Sequence, residues 1–452
     1  MKILIVSSGD FHSSYGGGQV YVKNLTDELI GQGADVVIAS RHEDAEGAVP
    51  YRNTAIHFYR NSGQTLQSGD LAPLLQQIRP DVVHAHGDKA VFARACAAQG
   101  VPCIVTIHHG GLICPAGTLL DYRDRICRVR AVYQSCLPCV LKNIRGGIFS
   151  WYPLRFLPYK IMIRTGDYFD KKPFIPYLTP VALSALIIRE TIKEWGALCR
   201  DASLLVAPSR AIAESAVCNG AARKKVKVLA HGIRTPYAPG QSARSAFAGD
   251  GDDERVIRFF YVGRICRVKG LHILLEAFSR VTGPVELHLI GAAGNKAEYR
   301  YQEDLKVRSR RDKQVVWHGK IEPDRVQEAI CHYDVMVHPA LYLEVFGLTI
   351  AESLVMGKPV IATRCGGAEA QIEHGQNGLL VEPGDVHGLR TAMQEVVSNA
   401  DLLQRLEMDP GRQVKTLSNH ARELVELYQD VVMNNASVKT LPAGSPAQGP
   451  RC

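Results

Sequence analysis

Short apolar runs alternate with helix-period segments along most of this chain, and that alternation restricts the fold more than any other feature. The first series reads as a strand at 3–6, a helix at 19–31, strands at 35–39 and 81–85, a helix at 90–99 and a strand at 103–107. A helical crossover returns the chain to the same end of a sheet, so strands connected this way pair in parallel and need cover on both faces. The rhythm stops near His109 and resumes near Val181, with a helix to Arg200, a strand at 204–207, a helix opened by Ser209 and a strand at 226–229. A second series supplies strands at 256–262, 285–290, 315–318, 335–337 and 360–362, and helices at 271–281, 323–331 and 346–356.

Two such series in 452 residues predict an α/β protein of two doubly wound, Rossmann-like domains facing each other across a cleft. The expected divisions are an N-terminal domain at 1–237 carrying an insertion at about 109–180, a Pro-, Gly- and Ser-rich linker at 238–255, and a C-terminal domain at 256–434 whose last helix can return to the first. Residues 435–452, with three prolines and few apolar side chains, read as a disordered tail. A composition of 46% hydrophobic and 22% charged residues excludes fibrous and disordered classes. The net charge of +8 has a local source: from Arg128 to Arg164 there are seven basic residues and no acidic one. That points to an anionic partner, and no zinc-finger, RNP or helix-turn-helix pattern accompanies it to suggest nucleic acid. No run reaches the length of a membrane span, and the expected location is the cytoplasm or, peripherally, the inner face of its membrane, with the 12 cysteines mostly reduced.

Three segments carry chemistry. In the first, Glu344-Val-Phe-Gly-Leu-Thr-Ile-Ala-Glu352, one carboxylate stands before a helix start and a second lies about two turns along nearly the same face. The unpaired amides at that helix start suit a diphosphate, and the two carboxylates suit hydroxyls on either side of it. In the second, Val262-Gly-Arg-Ile-Cys-Arg-Val-Lys-Gly270, Arg264 and Lys269 can converge on phosphate oxygens, with Gly263 and Gly270 admitting close backbone approach. The third, Ser13-Ser-Tyr-Gly-Gly-Gly-Gln-Val20, puts glycines before the first helix. It lacks the G-x-G-x-x-G spacing, and the second strand ends without a ribose-binding acid, which argues against a dehydrogenase.

Together with Gly357-Lys-Pro-Val-Ile-Ala-Thr363, Gly366-Gly367 and Asn377-Gly-Leu-Leu-Val-Glu-Pro-Gly-Asp385, these segments resemble the family-four retaining glycosyltransferases of the GT-B fold. The resemblance implies that Glu344 binds hydroxyls of the donor sugar with backbone at Phe346 and Gly347, and that Glu352 holds the nucleotide ribose. Arg264 and Lys269 would neutralise the diphosphate, Gly17 and Gly18 would close over it, and Gly263 would let the backbone near it. His108 would lie beside the reacting sugar and position a hydroxyl; the family often has Asp next, where this chain has His109. The implied partner is a nucleotide-diphosphate sugar, and the implied chemistry requires no metal or other cofactor, since the cations and helix start supply the charge. Two carboxylates placed along one helix do not flank a glycosidic bond as a glycosidase requires. A nucleotide-sugar epimerase and a non-catalytic nucleotide-sugar-binding module are the alternatives.

The insertion adds two signals. Cys114, Cys127, Cys136 and Cys139 are candidates for a structural zinc ion or iron–sulfur cluster, with simple buried thiols as the alternative. Phe149, Trp151, Tyr152, Phe156 and Tyr159 are interleaved with Arg155 and followed by Lys160 and Arg164. Such a segment suits either an anionic membrane surface, hence a polyprenyl-diphosphate-linked glycan acceptor in bacterial surface polysaccharide assembly, or a packed connector with a basic edge.

Overall fold

The computed structural model describes residues 1–7, 11, 16–42, 47–60, 66–143, 161, 178–235, 256–407 and 414–439. The linker expected at 238–255 and the aromatic and basic residues of 149–160 and 164 lie outside them.

The first sheet holds β1 (Lys2–Val6), β2 (Asp35–His42), β3 (Gly47–Tyr51), β4 (Thr54–Arg60), β5 (Val82–Ala85), β6 (Cys103–Thr106), β7 (Leu204–Ala207) and β8 (Val226–Val228). The second holds β9 (Ile257–Val262), β10 (Val285–Ile290), β11 (Val315–Gly319), β12 (Val335–His338), β13 (Val360–Thr363) and β14 (Gly378–Val381). Their orders are β3-β4-β2-β1-β5-β6-β7-β8 and β11-β10-β9-β12-β13-β14. Pairing is parallel throughout except for β3 against β4, an antiparallel hairpin at one edge.

Unbroken apolar runs make these strands because both faces are covered. Leu4 and Val6 face one core while Ile3 and Ile5 face another. In the second sheet Phe259 and Tyr261 are separated in the same way from Phe260 and Val262. The last helix, Leu417–Lys439, packs Ala421, Leu424 and Tyr428 into the core containing Ile3 and Ile5, so the chain ends on the first sheet. Ile233 and Leu417 anchor that return, Ile233 N–H donating to the Lys415 carbonyl (3.0 Å) and Leu417 N–H to the Ile233 carbonyl (2.9 Å).

Two expectations need correction. The helix runs through Lys439, five residues into the stretch read as a tail, with Asn435 Nδ2 donating to the Gly100 carbonyl at 3.1 Å. The helix that carries Glu352 begins later than the expected 346–356. That helix is Leu348–Val355, entered through Gly347 in a left-handed conformation (φ 84°), and Glu344 lies ahead of it in an extended segment bridged to Gly366.

Candidate active site

In a doubly wound sheet, ligands bind beyond the carboxyl ends of the two strands between which the strand order reverses. The reversal falls between β1 and β5 in the first sheet and between β9 and β12 in the second. The glycine segment follows β1 and His86 follows β5, with His108 beyond the neighbouring β6; the Arg264 and Lys269 loop follows β9, and Glu344 follows β12. The two crevices meet. A Cβ at Gly17 would lie 3.1 Å from Leu348 Cδ1, one at Gly18 would lie 3.9 Å from His108, and the rings of His231 and Phe346 stand 5.2 Å apart, edge to face.

Lys269 and Glu344 form the centre of the C-terminal half. Lys269 Nζ donates to Glu344 Oε2 at 2.6 Å, Tyr342 OH donates to the same oxygen at 2.7 Å, and His338 Nε2 lies 3.3 Å from it. Among the described residues Oε1 accepts no hydrogen bond, which leaves one carboxylate oxygen for a ligand. Burial disfavours both charges, but each stabilises the other, so the Glu344 carboxyl is held well below its ordinary range and Lys269 above its own. Gly270 makes the approach of the two loops feasible: it adopts φ 75°, and a Cβ there would fall 1.9 Å from the Pro339 carbonyl oxygen. Beside this pair, Gln371 Nε2 bonds the carbonyls of Phe346 and Gly367, fixing the turn that presents the first amides of Leu348–Val355.

Arg264 is 60% exposed and leans on Glu298 (Nε to Oε1 3.7 Å), while Lys269 is paired with Glu344. Gly263 sits at φ 152°, where a Cβ would lie 2.9 Å from the Tyr261 hydroxyl. The Glu352 carboxyl has no hydrogen bond or ion pair to any described residue, and burial pushes it up to about 8.

Across the cleft, His108 Nε2 and His86 Nδ1 are 2.7 Å apart. His84 bridges Tyr428 OH and Thr106 Oγ1, both at 2.7 Å, and Tyr21 OH meets His420 Nε2 at 2.6 Å. Tyr21 packs on His231 with ring centroids 3.9 Å apart. Burial lowers the pKa of both rings well below the ordinary imidazole value, followed by the His84 and His108 rings at His86 and by Lys89 and His231 at His108, which favours the neutral form of each. His86, His231, His338, Tyr342 and Tyr21 were not read from the sequence. The available signal was a polar side chain at or just beyond the end of an apolar strand, as at His86, His231 and His338.

Cys114 lies in the turn after Gly110, Cys127 on the return arm of a hairpin bridged at Leu120 and Ile126, and Cys136 and Cys139 one turn apart on the helix Tyr133–Asn143. Burial and then the neighbouring thiols push Cys136 up to about 12 and Cys139 up to about 11. The four share a neighbourhood, but among the described residues no three His, Cys, Asp or Glu side chains are placed to hold a metal ion. Other contacts fix these segments: Tyr133, Leu137 and Leu141 pack on Ala185 and Ile188, and Lys142 Nζ reaches Asp124 Oδ1 at 2.6 Å.

The family model described as Glycosyl transferases group 1 matches residues 256–399, and that described as Glycosyltransferase Family 4 matches residues 15–135. A D-inositol 3-phosphate glycosyltransferase of Corynebacterium urealyticum is 30% identical over 199 residues, 42% of this chain and 45% of that protein. The lipopolysaccharide core biosynthesis glycosyltransferase LpsE of Rhizobium meliloti is 33% identical over 146 residues, 32% of this chain and 41% of that protein. The chain thus spans less than half the length of these curated relatives. Anabaena Alr3699/HepE, solved with UDP and glucose, superposes with a TM-score of 0.63 at 17% identity, covering 95% of this chain and 99% of that one, a likeness of fold. The chain thus carries a group 1 glycosyltransferase domain and a Family 4 glycosyltransferase domain, and has the GT-B fold.

Proposed function

We propose that this protein transfers a sugar from a nucleotide-diphosphate sugar to a glycan acceptor with retention of anomeric configuration. The observation that carries the reading is the buried Lys269–Glu344 pair, 2.6 Å long, beside the start of Leu348–Val355 and across the cleft from His108. A leaving diphosphate needs cations and amide donors already in place, and Lys269, the helix start and a re-aimed Arg264 supply them without a metal ion. Glu344 Oε1 takes a hydroxyl of the donor sugar, Glu352 takes the ribose, and Gly17 and Gly18 close from the other side. The acceptor oxygen bonds to the anomeric carbon as its bond to phosphate breaks. The electron pair goes to the leaving phosphate oxygen, which also receives the acceptor's proton on the same face. Holding Lys269 charged matters because it stabilises that oxygen as charge develops.

Two likenesses support the finer reading. HepE was solved with UDP and glucose, which favours a sugar nucleotide as donor here. LpsE acts in lipopolysaccharide core biosynthesis, which with the basic and aromatic stretch favours a lipid-linked acceptor in surface polysaccharide assembly, met by peripheral docking on an anionic membrane. No helix among the described residues is long and apolar enough to cross a membrane. The test is a panel of UDP-, GDP- and ADP-sugars read by thermal shift and by release of the nucleoside diphosphate, with the product anomer assigned by NMR. One sugar nucleotide is expected to stabilise the protein and to give a retained product. No stabilisation and no release across the panel removes the reading, and an inverted product removes the retaining mechanism.

A further inference from the structure

We infer that His86 is a positioning residue that sets the tautomer of His108, so that His108 presents Nδ1–H to the cleft as a hydrogen-bond donor.

His86 is rigidly placed. It follows β5, its backbone N–H donates to the Val6 carbonyl at 2.9 Å, and its own carbonyl accepts from Lys89 Nζ. Its ring lies 4.0 Å from that of His84 and 5.0 Å from that of His108, and is 1% exposed as a residue. The 2.7 Å contact between His86 Nδ1 and His108 Nε2 joins two neutral imidazoles, so one nitrogen carries the proton and the other accepts it. The remaining nitrogen of His86 decides which. His86 Nε2 is buried and has no partner. If Nε2 carried the hydrogen, the core would contain an N–H with no acceptor. If it does not, the core contains only an under-satisfied lone pair, which folded proteins tolerate more readily. The proton of His86 therefore sits on Nδ1 and is donated to His108 Nε2.

A neutral His108 that accepts at Nε2 must carry its own hydrogen on Nδ1. Among the described residues Nδ1 of His108 has no hydrogen-bond partner, and it is not among the enclosed polar atoms. The ring is only partly buried, beside Gly18. An N–H there meets an oxygen acceptor, a sugar hydroxyl oxygen or a phosphate oxygen, and cannot remove a proton. His108 thus orients the substrate, and the acceptor's proton leaves on the departing phosphate. This inference rests on the proposed placement of His108 beside the donor.

The direct test is long-range 1H–15N correlation on 15N-histidine-labelled protein, with the His108 signals assigned by their loss in His108→Gln. The expected pattern is a protonated Nδ1 and an unprotonated Nε2 in His108; the reverse pattern overturns the inference. Turnover is read as nucleoside diphosphate released from the sugar nucleotide that stabilises the protein most. His86→Leu removes the donor and is expected to lower kcat by about 10- to 100-fold at nearly constant donor KM. His86→Asn keeps an N–H near the Nδ1 position and is expected to restore most of that loss. Wild-type kcat in His86→Leu, or an equal loss in His86→Asn, overturns the inference; if His86→Leu does not fold, the spectrum and His86→Asn decide. Full activity in His108→Ala instead removes the placement on which it rests.

Discussion

Glu352 and Glu344 lie close in sequence and have opposite electrostatic surroundings, which gives each a distinct signature. Burial without a cation raises Glu352 to about 8 from 4.5, so the folded state binds this proton more tightly than the unfolded chain does. The resulting stability is fully present below pH 4.5 and is lost as pH rises through about 8. Glu352→Gln is therefore expected to match the wild type in urea unfolding at pH 5 and to be more stable by ~2–4 kcal/mol at pH 9, allowing for partial exposure. A margin that does not widen with pH would mean that the carboxylate has a partner. Lys269→Met leaves Glu344 buried beside Tyr342 and His338 without its cation, and breaking a buried pair costs ~3–5 kcal/mol. Replacing both, as Lys269→Met with Glu344→Leu, is expected to recover most of that stability and none of the turnover. Equal stability of the single and double variants in urea would show that the pair is not buried as a unit. The residue types and the loops were legible in the sequence because each motif is local. That Glu344 would pair with Lys269, 75 positions away, was not, because the contact depends on β9 and β12 lying side by side.

At the scale of elements, the strands at the centre of each sheet were readable because both faces of each are buried, whereas β3, β4 and β14 were not read from the sequence. The helix expected from Phe346 begins only at Leu348, because a left-handed Gly347 stops the backbone from joining Phe346 to the helix. The short helix Tyr133–Asn143 was missed because it contains Pro138 and lies in a segment with little core of its own. Backbone conformation at single glycines therefore decides where elements begin, and Gly270 offers the sharpest check. Both Gly270 and Gly33 have positive φ, 75° and 81°, but a Cβ at Gly33 meets nothing within 4 Å, while one at Gly270 would strike the Pro339 carbonyl. Gly33→Ala is expected to cost only the left-handed backbone term, about 1 kcal/mol. Gly270→Ala is expected to cost at least twice as much in urea unfolding and to abolish turnover, since the Lys269 turn must move away from Glu344. Similar costs at the two positions would mean that the turn relaxes without displacing Lys269.

At the scale of the whole molecule, two of the ties between the halves differ in strength. The insertion reaches across the cleft, with Asp124 contacting Lys142 on its own side at 2.6 Å and Arg267 on the other at 3.7 Å, an exposed link worth under about 1 kcal/mol. The return of Leu417–Lys439 is the stronger tie, because Tyr428 is fully buried against the first sheet and hydrogen-bonded to His84 at 2.7 Å. Sequence periodicity identifies such a helix but not which sheet it covers; that choice depends on the unfilled face around Ile3, Ile5 and Leu25. The consequence is that a C-terminal side chain controls the stability of the N-terminal half. Two tryptophans separate the readouts: Trp195 lies in the first domain's core and Trp317 packs against the second's. With Trp151→Phe as background, each is kept in turn by replacing the other with Phe. Tyr428→Ala, which removes a buried aromatic and leaves His84 short of a partner, is expected to cost the first domain ~3–5 kcal/mol. The unfolding transition reported by Trp195 should move to lower urea by that amount, while the one reported by Trp317 should stay within about 1 kcal/mol of its starting value. Equal shifts at both tryptophans would mean that the two halves unfold as one cooperative unit, and no shift at Trp195 would mean that the returning helix does not complete the first core.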